Sequence, residues 1–189
     1  RLNVAVTVES PGRKVIGKKS APQRHLEPAA IVRTATETYP VIVADGAFEG
    51  LGELCRETGV KGRAFVVTDT AVGPMFAGRA EASLSGAGYS VQVLEVPGGE
   101  EHKTLATVET VYDWLIAHRV ERSDFVVCLG GGVVTDLAGF AAATCLRGIA
   151  FVHVPTSLLA MADASIGGKT GVDHPRGKNL IGAFAQPKA

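Results

Sequence analysis

Short apolar runs alternate with amphipathic stretches from residue 31 onward. The runs Ile31–Thr36, Val41–Ala44, Ala64–Thr68, Ser90–Val96, Phe125–Leu129 and Ala150–Val154 predict strands. Between most of them the pattern shifts to a helical period, at about 47–58, 71–87, 104–118 and 133–146. The third helix is the best patterned: Thr104 stands where a cap belongs, and Leu105, Val108, Val111, Tyr112 and Leu115 share one face. The fourth is apolar almost all round, through Leu137, Phe140, Ala141, Ala142, Ala143 and Cys145, which predicts burial. Strand–helix alternation at this spacing gives an α/β fold, a mostly parallel sheet with helices on both faces, Rossmann-like in layout.

The flanks read differently. Residues 1–28 hold Arg13, Lys14, Lys18, Lys19 and Arg24 among three prolines and keep no period, as a solvated tail or linker does; only Asn3–Val8 has strand character. The organised domain is expected over 29–189. After Pro155, Thr156–Ala162 suits a helical turn or two, Asp163–Asn179 a polar glycine-rich loop, and Leu180–Phe184 one last apolar run. A long polar loop inside a compact domain usually has a function.

Composition narrows the classes. Lys plus Arg and Asp plus Glu both number 19, which argues against nucleic-acid binding through a basic surface and against a polybasic membrane anchor. The longest apolar runs, such as Phe125–Val134, reach about half a membrane span. Cys55, Cys128 and Cys145 are odd in number and dispersed, so reduced thiols and a cytoplasmic location are expected. Glycine is the outlier at 23 residues, gathered between apolar runs, which points to backbone-lined binding loops.

The first such loop is Gly130-Gly131-Gly132, between an apolar strand and the buried helix. Glycines there let the backbone approach a phosphate, and a helix N-terminus supplies free N–H groups. The dinucleotide fingerprint is imperfect: Thr135 stands at its third glycine, and position 152, where an acid would hold a ribose, is Val. A tight turn without ligand is the bland alternative. From Phe125 to Phe151 only Asp136 and Arg147 carry charge, and a charge in such surroundings needs a partner or a polar cleft. Ser165–Thr170 comes near a P-loop, but Asp163 occupies its first glycine, and Gly171 and Pro175 oppose the helix that must follow. Lys169, Arg176 and Lys178, with Asn179, Asp163 and Asp173, suit a small anionic polyol such as a sugar phosphate. Pro97–Lys103 falls on the carboxyl edge of the sheet, where Glu100 could accept ribose hydroxyls; Asp69 is a similar candidate. His25, His102, His118, His153 and His174 show no metal-ligand spacing, so no protein metal site is read here.

At these motifs the chain resembles the 3-dehydroquinate synthase family. The blocks are Pro97-Gly-Gly-Glu-Glu-His-Lys103, Gly130–Phe140 with Cys145-Leu-Arg-Gly148, Val154–Ala160 and Asp163–Phe184. The resemblance implies a cyclase of the shikimate pathway that depends on NAD and on a divalent metal, zinc or cobalt. It implies a seven-carbon sugar acid phosphate as substrate and a homodimer in the full-length enzyme. Asp69, Glu100 and Lys103 then resemble adenosine-ribose contacts. Gly131, Gly132 and Val133 resemble the pyrophosphate cradle, Asp136 lies on the nicotinamide side, and Thr156, Ser157, Lys169 and Lys178 complete the cofactor set. Asp163, Lys169 and Asn179 resemble substrate ligands, and Arg147 a phosphate-binding arginine that reaches a neighbouring subunit.

Departures accompany the resemblance. Thr135 stands where many relatives have Gly, and Ser157 replaces a frequent Thr while keeping the hydroxyl. The family's helical C-terminal domain, with one Glu and two His as metal ligands, has no counterpart up to Ala189, so the chain is expected to be an N-terminal portion that is inactive alone. Sister cyclases acting on other sugar phosphates, polyol dehydrogenases of related architecture, and a non-catalytic NAD-binding or dimerisation module remain alternatives.

Overall fold

The computed structural model describes residues 26–35 and 37–189. The tail read at 1–28, except its last three residues, lies outside the described residues, as do the strand expected at Asn3–Val8 and Thr36. In chain order the elements are β1 (Ala30–Arg33), β2 (Thr38–Val41), α1 (Leu51–Glu57), β3 (Ala64–Asp69), α2 (Gly73–Gly86), β4 (Val91–Val96), α3 (Leu105–Ala117), β5 (Phe125–Gly130), α4 (Gly132–Thr144), β6 (Ala150–Pro155), β7 (Lys169–His174) and β8 (Gly177–Phe184). Short 3₁₀ turns follow at Glu100–His102 and Cys145–Arg147, and a π-helical turn at Ala160–Ala164.

Four parallel strands make the central sheet in the order β4-β3-β5-β6. Both inner strands are buried along their whole length, which is why they read as unbroken apolar runs. Their side chains alternate between two cores. Phe65, Val67, Val126 and Cys128 pack with Val108, Val111 and Leu115 of α3 and Leu137, Ala138 and Ala141 of α4. Ala64, Val66, Phe125, Val127 and Leu129 pack with Leu51 and Cys55 of α1 and Ala80 and Leu84 of α2 on the other face. Helices therefore cover both faces, as the alternation predicts. Thr104 caps α3 by accepting from the Thr107 N–H, but Leu105 does not join the buried face and is half exposed, because it sits at the first helical position beyond the sheet edge.

Two segments differ from expectation. Strand Val41–Ala44 is displaced to Thr38–Val41, where Pro40 stands opposite Ile31. Proline is tolerated because β2 pairs only with β1, leaving an edge that needs no N–H donor. The long loop read at Asp163–Asn179 is largely the start of a hairpin, β7–β8, with Gly171 opposite Gly182. A Cβ built on Gly182 would lie 2.2 Å from the Thr170 carbonyl oxygen, so glycine here permits a close strand approach. Val172 and Thr170 of the hairpin are buried, and Thr170 fills the space above Gly139 of α4. The glycines that make the segment look like a loop are the residues that let its two strands approach closely.

The strand order places the crevice. From β3 the chain moves outward to β4, then crosses back to β5 on the other side, so consecutive crossovers diverge at the β3/β5 boundary. In open α/β sheets ligands bind at such a switch point, outside the carboxyl ends of the strands. The ends here are Asp69 and Gly130. The amino edge is closed instead: Asp124 accepts from the Arg63 N–H at 2.7 Å and from its guanidinium at 2.8 Å. Burial works against the Asp124 charge, yet these bonds and one from the Glu121 N–H hold its carboxyl below the usual range.

Candidate functional site

The glycine turn opens α4 at the switch point. Gly131 precedes the helix in extended conformation, and no side chain caps the first turn. The leading N–H groups of α4 thus face outward with the positive end of the helix dipole. A Cβ on Gly131 would lie 3.5 Å from Ser157 Oγ, and one on Gly132 3.5 Å from the Ala164 methyl. Bare backbone therefore lines the gap between the turn and the segment after β6, a fit for a pyrophosphate bridge. Thr135 is fully buried, and its hydroxyl donates to the Gly132 carbonyl at 3.1 Å, closing the turn from within. Thr156 N–H donates to the Gly130 carbonyl at 2.9 Å, which fixes Thr156 and Ser157 beside the turn.

Asp136 is the fifth residue of α4, one position past its first turn, because the helix starts at Gly132 rather than at residue 133; the first turn holds no acid. Its charge is met by Lys103 rather than by the helix dipole. Lys103 Nζ donates to Asp136 Oδ2 at 2.5 Å and to Asn179 Oδ1 at 2.6 Å, with a side chain only 4% exposed. Burial raises the Asp136 carboxyl above its ordinary range, against the pull of Lys103. A cleft of about 430 Å³ opens beside this pair, lined by Asp136, Asp163, Lys169, Asn179 and Phe184 among others. Across it Lys169 Nζ donates to Asp163 at 2.9 Å, with both side chains more than half exposed. Lys178 Nζ donates to Glu100 at 2.9 Å, linking the hairpin to the 3₁₀ turn before α3. That carboxylate raises the Lys178 ammonium pKa.

The other site residues are placed around this centre. Asp69 ends β3, and its Oδ1 accepts from the N–H groups of Ala71 and Val72 at 2.8 Å each, so one carboxylate oxygen is committed to the start of α2. Arg147 is exposed beyond the far end of α4, a helix about 20 Å long. Lys103, Asp136, Asp163, Lys169 and Asn179 come together; Arg147 does not join them. Two supporting contacts were not readable in the sequence, one of them made by Asp173, which the sequence placed only in the charged cluster. Asp173 accepts the Asn179 N–H at 2.7 Å and donates its own N–H to the Lys103 carbonyl at 2.8 Å. Buried Tyr39 accepts the Gly167 N–H at 3.0 Å and so anchors the glycine-rich segment to β2. Nothing local links Asp173 to Lys103, or Tyr39 to residue 167.

A larger cleft of about 670 Å³ runs between β2, α1 and the segment after β6, lined by Val41, Phe48, Phe76, Val154, Leu158 and Met161 among others. Its walls are mostly apolar, so it offers few groups to orient a charged ligand, unlike the cleft beside Asp136. Among the described residues no three His, Cys, Asp or Glu side chains gather where they could hold one metal ion, and no helix is long and apolar enough to cross a membrane.

Comparison with known proteins completes the site's context. Residues 93–189 match the family profile described as 3-dehydroquinate synthase N-terminal. A 3-dehydroquinate synthase of Geobacter metallireducens is 55% identical over 152 residues, 80% of this chain and 42% of the relative. Another, from Pelobacter propionicus, is 52% identical over 157 residues, 83% of this chain and 44% of the relative. The chain thus spans less than half the length of these relatives. Among solved structures, a 2-deoxy-scyllo-inosose synthase complexed with carbaglucose-6-phosphate, NAD+ and Co2+ superposes with TM-score 0.77 at 29% identity, covering 83% of this chain and 43% of that one. A 2-epi-5-epi-valiolone synthase from Streptomyces hygroscopicus with NAD+ and Zn2+ bound gives 0.64 at 33% identity, covering 69% and 36%.

Proposed function

Since the chain belongs to the 3-dehydroquinate synthase family, we propose that residues 29–189 form the NAD-binding part of an enzyme converting 3-deoxy-D-arabino-heptulosonate 7-phosphate to 3-dehydroquinate and phosphate. That makes it a carbon–oxygen lyase. The observation that carries this reading is the juxtaposition at one switch point of an uncapped glycine turn and a charged cleft ending in Lys169 and Asn179. When bound, NAD supplies transient oxidation of a ring hydroxyl, which acidifies the neighbouring proton so that phosphate leaves before the hydride is returned.

This chain's own residues bind and orient. The N–H groups of Gly132 and Val133 hold the pyrophosphate at the helix N-terminus, with Gly131 leaving room for it. Glu100 and the free oxygen of Asp69 accept ribose hydroxyls, with Lys178 held beside Glu100. Thr156 and Ser157 close the far side of the turn. Lys169 and Asn179 donate to oxygens of the acid phosphate, and Asp163 positions Lys169. The divalent metal of this reading, zinc or cobalt, would take one Glu and two His from the rest of the whole enzyme. Exposed Arg147, beyond the far end of α4, suits a phosphate contact in the neighbouring subunit of a cytoplasmic homodimer.

The nearest alternative is a sister cyclase, since the two solved structures named above are an inosose and a valiolone synthase. Sequence favours dehydroquinate formation: the relatives at 52% and 55% identity carry that name. The test is phosphate release by the whole enzyme from the seven-carbon acid phosphate and from glucose 6-phosphate. A preference of at least about 100-fold for the acid phosphate is expected, because a site built to hydrogen-bond one substrate rejects its analogue strongly. Equal or greater turnover of glucose 6-phosphate would contradict the assignment.

A further inference from the structure

Lys103 is the most buried cation among the described residues, and its partners come from different elements. The ammonium meets Asp136 on α4 and Asn179 on β8, while its carbonyl accepts the Asp173 N–H from β7. Asp173 in turn accepts the Asn179 N–H. Three residues thus form a closed ring, Lys103–Asp173–Asn179, that locks the hairpin onto the end of the 3₁₀ turn. Asn179 has φ +55, a left-handed conformation that Asn tolerates and that the ring holds in place.

The ring decides which way the Asn179 amide faces. An ammonium donates and cannot accept, so the amide atom 2.6 Å from Lys103 Nζ is the oxygen. The Nδ2 group is then the free end, and it has no hydrogen-bond acceptor among the described residues, while Asn179 lines the charged cleft. Two of the three Nζ hydrogens are already used, and the side chain is 4% exposed. This leaves little of Lys103 for a ribose.

We propose that Lys103 is a positioning residue: it holds the Asn179 side-chain amide with its NH₂ turned into the cleft, as a donor to an acceptor oxygen of the sugar acid phosphate, and sets the Asp136 carboxylate in the same stroke. This rests on reading the cleft as the substrate site. Without the ammonium the amide is free to flip and offer its carbonyl oxygen, which repels a ligand oxygen.

A double-mutant cycle in the whole enzyme tests this, with kcat/KM for the acid phosphate read at saturating NAD and the NAD Kd read separately by calorimetry. The variants are Lys103→Gln, Asn179→Gly and their combination; glycine removes the amide yet accepts the left-handed backbone. Lys103→Gln is expected to lower kcat/KM about 30-fold alone and less than about threefold in the Asn179→Gly background, with NAD Kd within about threefold of wild type. Equal losses in both backgrounds would overturn the proposal and leave Lys103 a structural residue. A dominant loss in NAD Kd, with kcat retained at saturation, would overturn it in favour of a ribose contact. Should Lys103→Gln fail to fold, Lys103→Met, which keeps the apolar stem and removes the donor, takes its place in the cycle with the same outcomes. Absence of wild-type turnover of the acid phosphate would instead overturn the substrate reading on which the proposal rests.

Discussion

Gly182→Ala is expected to destabilise the protein by about 2–3 kcal/mol and to cut turnover at least about 100-fold. The added Cβ would lie 2.2 Å from the Thr170 carbonyl oxygen and 3.1 Å from the Gly171 Cα. These are backbone atoms of the facing strand, so no rotamer change relieves the clash. The strands must separate, and β8 carries Lys178 and Asn179 while β7 carries Lys169. Site and stability therefore fail together. Denaturant unfolding and steady-state kinetics on the whole enzyme measure both. Gly78→Ala is the matched control: it lies in α2 with nothing within 4 Å of its Cβ, and there the same change is expected to stabilise by about 0.5–1 kcal/mol. Wild-type stability and turnover for Gly182→Ala would show that the hairpin is not held by close strand approach.

Lys169→Ala has the opposite profile, with chemistry lost and the fold kept. Its side chain is more than half exposed and its partner Asp163 equally so, and an exposed pair of this kind adds little stability. In the cleft, however, the ammonium faces the place where the substrate anion is proposed to lie. A hydrogen bond between charged groups contributes roughly 1.5–3 kcal/mol, so kcat/KM for the acid phosphate is expected to fall about 10- to 150-fold. The melting temperature is expected to stay close to wild type. Unchanged kinetics would make Lys169 a solvated surface charge.

The sheet was legible in the sequence because its physics is local and repetitive. Phe125–Leu129 and Ala64–Thr68 must be apolar on both faces to sit in the middle of a covered parallel sheet, and that leaves an unbroken run. The hairpin was not legible, for the converse reason. Gly171 and Gly182 are there for close strand contact, and strand propensity registers glycine as a breaker. Pro40 hid β2 in the same way.

Within the site, the glycine turn and the isolated charge of Asp136 stood out because both violate their apolar surroundings. The pairing of Asp136 with Lys103 did not, since the partner lies 33 residues earlier and its ammonium is satisfied only when the hairpin closes. Tyr39 supporting Gly167 is a contact across 128 positions. Such pairs have no periodic signature; they exist only once the topology has brought the segments together.

The most direct test of the account is the redox balance of one assay. The whole enzyme is supplied with NAD and 3-deoxy-D-arabino-heptulosonate 7-phosphate, while inorganic phosphate and the near-ultraviolet absorbance of reduced nicotinamide are followed together. Phosphate release that requires NAD, continues over many turnovers and leaves no net reduced nicotinamide is the result expected of a hydride borrowed and returned at the Gly130–Asp136 turn. Reduced nicotinamide accumulating in step with substrate consumed, without phosphate release, would contradict it and make the protein a polyol dehydrogenase.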